Sequence, residues 1–121
     1  MAAILIAEDE PFSRMVVEAA ARDLGLEPLA VADGDAAIAQ ARAAESLEVL
    51  FTDIHMPPGP DGWAVAREVR RIHPDIRVIY TSGQAGPEDY ERFAVPESCL
   101  LPKPYTSIEL VAAIAGEGLS H

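Results

Sequence analysis

Leu47-Glu48-Val49-Leu50-Phe51-Thr52-Asp53-Ile54-His55-Met56-Pro57-Pro58-Gly59-Pro60-Asp61-Gly62 is an apolar run that stops at a carboxylate and gives way to a loop of three prolines and two glycines. That pattern describes a buried strand delivering Asp53 to a rigid surface loop. An Asp just past a strand is ordinarily a turn residue or a helix cap. Whether Asp53 is more than that depends on what the rest of the chain brings to the same place.

The same punctuation recurs on either side. Residues 2–7 are a continuous Ile/Leu/Ala run, as expected of a strand covered on both faces, and Pro11 behind Glu8-Asp9-Glu10 suits the first turn of a helix. Phe12, Val16, Ala19 or Ala20, and Leu24 recur at helical spacing and form the expected inward face, with Gly25 as a left-handed cap. Residues 29–32 make a second strand, and Asp35 is expected to cap an alanine-rich helix through Ala44. The opening stretch supplies the third strand, 47–52, and Asp61 caps a helix with Val65, Val69 and Ile72 on one face, ended by His73-Pro74. Residues 76–81 read as a fourth strand, 87–93 as a short polar helix before Pro96, and 98–101 as a fifth strand stopped by Pro102-Lys103-Pro104. Thr106 and Glu109 form a capping box for a last helix ending near Gly116, with Ile108, Val111 or Ala112, and Ala115 expected inward. Strands alternating with helices in this way predict an α/β protein, a doubly wound parallel sheet with helices on both faces.

Bulk properties narrow the function. At 121 residues the chain is expected to form a single domain over 1–121, with no output domain. A chain of this size buries about two thirds of its unfolded surface. Its 20 acidic against 9 basic residues give a formal net charge of -11. Such a field repels nucleic acid and anionic lipid, so neither DNA nor a membrane is an expected partner. The single cysteine, Cys99, excludes an internal disulfide and lies in an apolar run, where a small buried hydrophobe is expected. The apolar start has no basic lead and resembles neither a signal peptide nor a membrane span, which makes the cytoplasm the expected compartment.

In an open parallel sheet, ligands bind beyond the carboxyl ends of the strands. Four of the strands end in functional groups: Glu8-Asp9, Asp53, Thr81-Ser82, and Lys103 across Pro102. Each alone reads as a cap, a turn or a solvated charge. Together they put three carboxylates at one end of a sheet, where they repel unless one is protonated or a cation sits among them. A metal is the simpler remedy, and oxygen ligands without a Cys or His pair favour Mg²⁺. Phosphoryl transfer needs the remaining parts as well: a nucleophile, a fixed cation and a hydroxyl donor.

On these residues the chain resembles the receiver domain of two-component response regulators. The motifs run in order from Ile4-Leu5-Ile6-Ala7-Glu8-Asp9-Glu10-Pro11 through Asp53-Ile54-His55-Met56-Pro57 and Asp61-Gly62 to Ser82-Gly83 and Lys103-Pro104-Tyr105. The resemblance implies a flavodoxin-like (βα)5 fold with strand order 2-1-3-4-5. It implies a phosphoryl group taken from a sensor histidine kinase or histidine phosphotransfer protein and passed on as a signal to a downstream protein. Asp53 is then the phosphoacceptor, Glu8 and Asp9 the acidic pair holding Mg²⁺ with Asp53 and the His55 backbone carbonyl, Ser82 the hydroxyl on the phosphate, and Lys103 the cation. The Lys103-Pro104 bond is expected to be cis. His55 and Gln84, two residues past Asp53 and Ser82, are the positions at which receivers tune phosphate lifetime. Departures are Glu8 where Asp is commoner, a loop from Asp53 to Gly62 one residue longer than in many members, and Leu100 where an aromatic residue often swings inward.

Two other function classes compete. A receiver-like binding module that is never phosphorylated ordinarily lacks one of these residues, and none is lacking here. An aspartate-nucleophile phosphatase uses a similar set but carries Asp-x-Asp after its first strand, where this chain has Glu8-Asp9-Glu10.

Overall fold

In a computed structural model that describes residues 2–116, strands and helices alternate along the chain. They are β1 (Ala3–Ala7), α1 (Pro11–Asp23), β2 (Glu27–Val31), α2 (Gly34–Ala43), β3 (Val49–Asp53), α3 (Gly62–Ile72), β4 (Arg77–Ser82), α4 (Pro87–Phe93), β5 (Ser98–Pro102) and α5 (Ser107–Ala115). The strands form one parallel sheet in the order β2-β1-β3-β4-β5, the flavodoxin-like arrangement that the family resemblance implies. β1 and β3 are buried at every residue, which is why they read as unbroken apolar runs instead of alternating ones.

Side-chain alternation splits the core in two. Ile4, Ile6, Val49, Phe51 and Ile79 point to the face covered by α1 and α5, while Leu5, Leu50, Val78 and Tyr80 point to the face covered by α2 and α3. Helix starts follow local chemistry. Glu10 accepts from the N–H groups of Phe12 and Ser13, Asp61 from Ala64, and Thr106 and Glu109 close the capping box.

Four expectations are corrected. The cap of α2 is Asp33, whose Oδ1 accepts from Ala36 N–H at 2.7 Å, not Asp35, which lies inside the first turn. The inward face of α1 is Val17 and Ala21, leaving Phe12, Val16 and Leu24 exposed. Short side chains let this helix sit close to the sheet, and the larger apolar ones turn away from it. In α5 the buried residues are Leu110, Ala113 and Ile114, whereas Ile108 is 81% exposed. That helix is apolar nearly all round, so periodicity alone does not choose its face. β2 also begins at Glu27, two residues ahead of its expected start.

Candidate functional site

Strand register brings the expected residues together. Ala7 pairs with Thr52, Asp53 with Thr81, and Ser82 with Pro102, so Glu8, Asp53, Ser82 and Lys103 follow one another across the carboxyl edge of the sheet. Lys103 Nζ donates to Asp53 Oδ2 and to Glu8 Oε1, both at 3.1 Å. Glu8 is wholly buried, and its second oxygen accepts from Glu10 N–H at 3.1 Å. Asp9 is exposed, yet Glu8, Asp9 and Asp53 each offer an oxygen within 4.8 Å of the others.

The electrostatics follow from burial. Removal from water pushes the Glu8 carboxyl up, and the nearby Asp53 charge adds to this, while Glu10 N–H and Lys103 work against it. Burial acts downward on the Lys103 ammonium, but Glu8 and Asp53 outweigh it and hold the group above its usual value. One cation shared among three carboxylates leaves the cluster short of positive charge. An all-oxygen, carboxylate-rich donor set of this kind fits a hard divalent ion such as Mg²⁺.

The loop after Asp53 is fixed from behind. Gly62 N–H donates to Ile54 O at 2.8 Å, and a Cβ at Gly62 would overlap the Asp53 carbonyl. A Cβ at Gly34 would likewise overlap the Pro60 carbonyl. Asp53 Oδ1 accepts from His55 N–H at 3.3 Å, and the Lys103-Pro104 bond is cis as expected. His55 and Gln84 are both exposed. The Thr81 hydroxyl donates to Leu101 O at 2.9 Å and is turned toward β5, whereas Ser82 Oγ accepts from Gln84 and Ala85 N–H. Tyr105 sets its ring edge-on to Phe51, 6.3 Å between centroids. Two supporting residues carry no sequence signal: Gly34, and Arg14, whose guanidinium donates to Glu8 O at 2.8 Å. Both act across loops, where periodicity is silent.

Beside the carboxylates lies an open groove of about 510 Å³ whose lining includes Phe12, Val16, Gly83, Lys103, Pro104 and Tyr105. Phe12 is 71% exposed and Met15, one turn further along α1, 63%.

A parallel sheet in this order, with an acidic cluster and a lysine at its carboxyl edge, is the framework of a phosphoryl-accepting receiver. The chain belongs to the response regulator receiver domain family, which it matches over residues 4–115. It is similar to the transcriptional activator protein IrlR of Burkholderia pseudomallei, 30% identical over 92% of this chain and 48% of that protein. It is also similar to the sensor kinase CckA of Brucella abortus, 31% identical over 93% of this chain and 12% of the kinase. A solved response regulator receiver protein from Sinorhizobium medicae superposes with a TM-score of 0.89 at 35% identity, covering 95% of this chain and 92% of that one. The chain thus spans about half of IrlR and a small part of CckA. Among the described residues no helix is long and apolar enough to cross a membrane.

Proposed function

We propose that Asp53 is the phosphoacceptor of a receiver that takes its phosphoryl group from a histidine kinase or histidine phosphotransfer protein. The observation that carries this is the Lys103 ammonium bonded at once to Asp53 and Glu8, with Asp9 in reach of both. An Asp53 carboxylate oxygen attacks phosphorus, a P–O bond forms, the P–N bond to the donor imidazole breaks, and that nitrogen keeps the electron pair and takes up a proton. Lys103 orients the attacking carboxylate and holds charge that develops on the phosphoryl oxygens, and Ser82 donates its hydroxyl to one of them. Glu8, Asp9, Asp53 and the His55 carbonyl would hold Mg²⁺, which would supply charge neutralisation between two anionic reactants.

The groove beside the site supports a protein donor. It runs from Phe12 and Val16 to Lys103, whose ammonium bonds Asp53, so a partner seated there lies next to the acceptor. The receiver occupies residues 4–115, and the output these residues can provide is binding of a downstream protein or onward relay of the phosphate. The charge of -11 favours neither nucleic acid nor membrane as target, and the setting is the cytoplasm.

Incubation with acetyl phosphate or a phosphohistidine donor tests the reading. Labelling is expected to require Mg²⁺, to vanish in Asp53→Asn and to persist in Thr52→Val. Label that survives Asp53→Asn sinks the assignment.

A further inference from the structure

Arg14 is half-buried on the stripe of α1 that faces the sheet, three and seven residues ahead of the buried Val17 and Ala21, where an apolar side chain is the ordinary occupant. It lies near the start of the helix, at the positive end of the dipole, so charge alone disfavours a cation there. Its contact explains the placement. The guanidinium donates to Glu8 O at 2.8 Å, and Glu8 follows the last residue of β1 paired with β2 and β3, so this carbonyl lies beyond the ladder. Asp9, the next residue, is exposed, and packing does not aim its carboxylate. The peptides on either side of it do. A peptide unit is planar, so Arg14 holds the unit between Glu8 and Asp9 by its oxygen, and Glu8 Oε2 holds the unit between Asp9 and Glu10 by accepting from Glu10 N–H at 3.1 Å. Glu8 N–H is anchored in turn on Val31 O at 3.1 Å, and the Glu10 carboxylate on the N–H groups of Phe12 and Ser13.

We propose that Arg14 is a positioning residue for the divalent-cation site and that it acts through Asp9, by fixing the peptide from which the Asp9 carboxylate reaches Glu8 and Asp53. The proposal rests on the reading of these three carboxylates as metal ligands. Two effects of the Arg14 side chain on a bound divalent ion have opposite signs. Its positive charge repels the ion, so loss of the charge by itself tightens binding. Its hydrogen bond orients a ligand, so loss of the bond loosens binding, and groups that orient metal ligands are ordinarily worth about 10–100-fold in affinity. Positioning therefore predicts weaker binding where electrostatics predicts stronger. Because α1 also presents Phe12 and Val16 to the groove beside Lys103, one helix carries both the apolar wall of that groove and the brace of the metal ligand.

Mn²⁺ binding, read from the free-ion signal in electron paramagnetic resonance, tests this in the native chain, Arg14→Met, Arg14→Lys, Asp9→Asn and the double variant Asp9→Asn with Arg14→Met. The amide spectrum of each checks the fold, and the Glu8 carbonyl carbon resonance follows the Arg14 bond with no metal present. Arg14→Met is expected to move that resonance and to raise the Mn²⁺ dissociation constant about tenfold. Added to Asp9→Asn, it should change the constant less than about twofold, since the group it orients no longer serves. Arg14→Lys keeps the charge and isolates the bond: its Mn²⁺ affinity should be native where the Glu8 carbonyl resonance is native and weakened where that resonance has moved, which decides the matter even if Arg14→Met does not fold. Unchanged or tighter binding in Arg14→Met overturns the positioning role, as does an Arg14→Lys affinity that parts from its carbonyl resonance. A full tenfold loss on top of Asp9→Asn overturns the route through Asp9. A native chain that binds no Mn²⁺ at millimolar concentration refutes the metal reading and the proposal with it, whereas native binding that Arg14→Met leaves intact refutes the proposal alone.

Discussion

A single ammonium, on Lys103, stands 3.1 Å from a carboxylate oxygen of Glu8 and the same distance from one of Asp53, with Asp9 alongside. Two carboxylates sharing one cation in a half-dry site are incompletely compensated, and that shortage is what a divalent ion relieves. Glu8 differs from its neighbours in being fully buried with both oxygens already bonded, one to Lys103 and one to Glu10 N–H. The exposed side chains of His55 and Gln84 belong to the opposite case, since neither packs against the core and each is free to meet water or phosphate. If Asp53 is phosphorylated as proposed, their positions two residues past Asp53 and Ser82 would flank the approach of a hydrolytic water. His55→Ala and Gln84→Ala are expected to shift the decay of phosphorylated Asp53 several-fold, on the order of 1 kcal/mol in barrier. Following loss of label after removal of the donor checks this, and unchanged decay in both variants refutes it.

Elements hold one another through a few charged contacts, and α2 and α3 share the clearest. Glu68 of α3 accepts from Arg71 at 3.0 and 2.7 Å and from Arg42 of α2 at 3.3 Å. Hydrogen bonding from Arg71, with Arg42 in support, holds the Glu68 carboxyl down at about 2, against 4.5 for an ordinary glutamate. A depressed folded-state value means that the contribution is fully present above about pH 4.5 and fades as pH falls toward about 2. Glu68→Gln should therefore unfold at lower urea concentration than the native chain at pH 6, with the gap shrinking between pH 4.5 and pH 3. A gap of constant size across that range would contradict the assignment. The Arg42–Glu68 contact, 26 residues apart, is invisible in sequence, as are the faces of α1 and α5. Local chemistry did speak: Asp61 and the Thr106/Glu109 box cap the helices that their patterns marked. The edge carrying Glu8, Asp53, Ser82 and Lys103 was legible because each residue ends or directly follows a strand, and parallel strands put their ends side by side. The face of α1 was not, because Phe12 and Val16 obey helical spacing as well as Val17 and Ala21 do, and only the closeness of the sheet separates the two stripes.

At the scale of the molecule, charge and apolar surface are distributed unequally. The net charge of -11 gives no attraction to the phosphoryl group itself, so apolar contact is the term that can seat a donor beside Asp53. Such contact comes from surface that gains by leaving water, and α1 offers it: Phe12, Met15 and Val16 lie exposed on one side of the helix, and Phe12 and Val16 line the groove that leads to Lys103. Burying one such side chain contributes roughly 1.5–3 kcal/mol, enough for a tenfold or larger effect on docking. Phe12→Glu and Met15→Glu are therefore expected to slow phosphotransfer from a histidine donor at least tenfold under subsaturating conditions. Labelling by acetyl phosphate, which needs no docking surface, should stay within about twofold of the native rate. A loss shared by both donors would place the defect in the site or the fold, and an undiminished rate from the protein donor would move the docking surface away from α1.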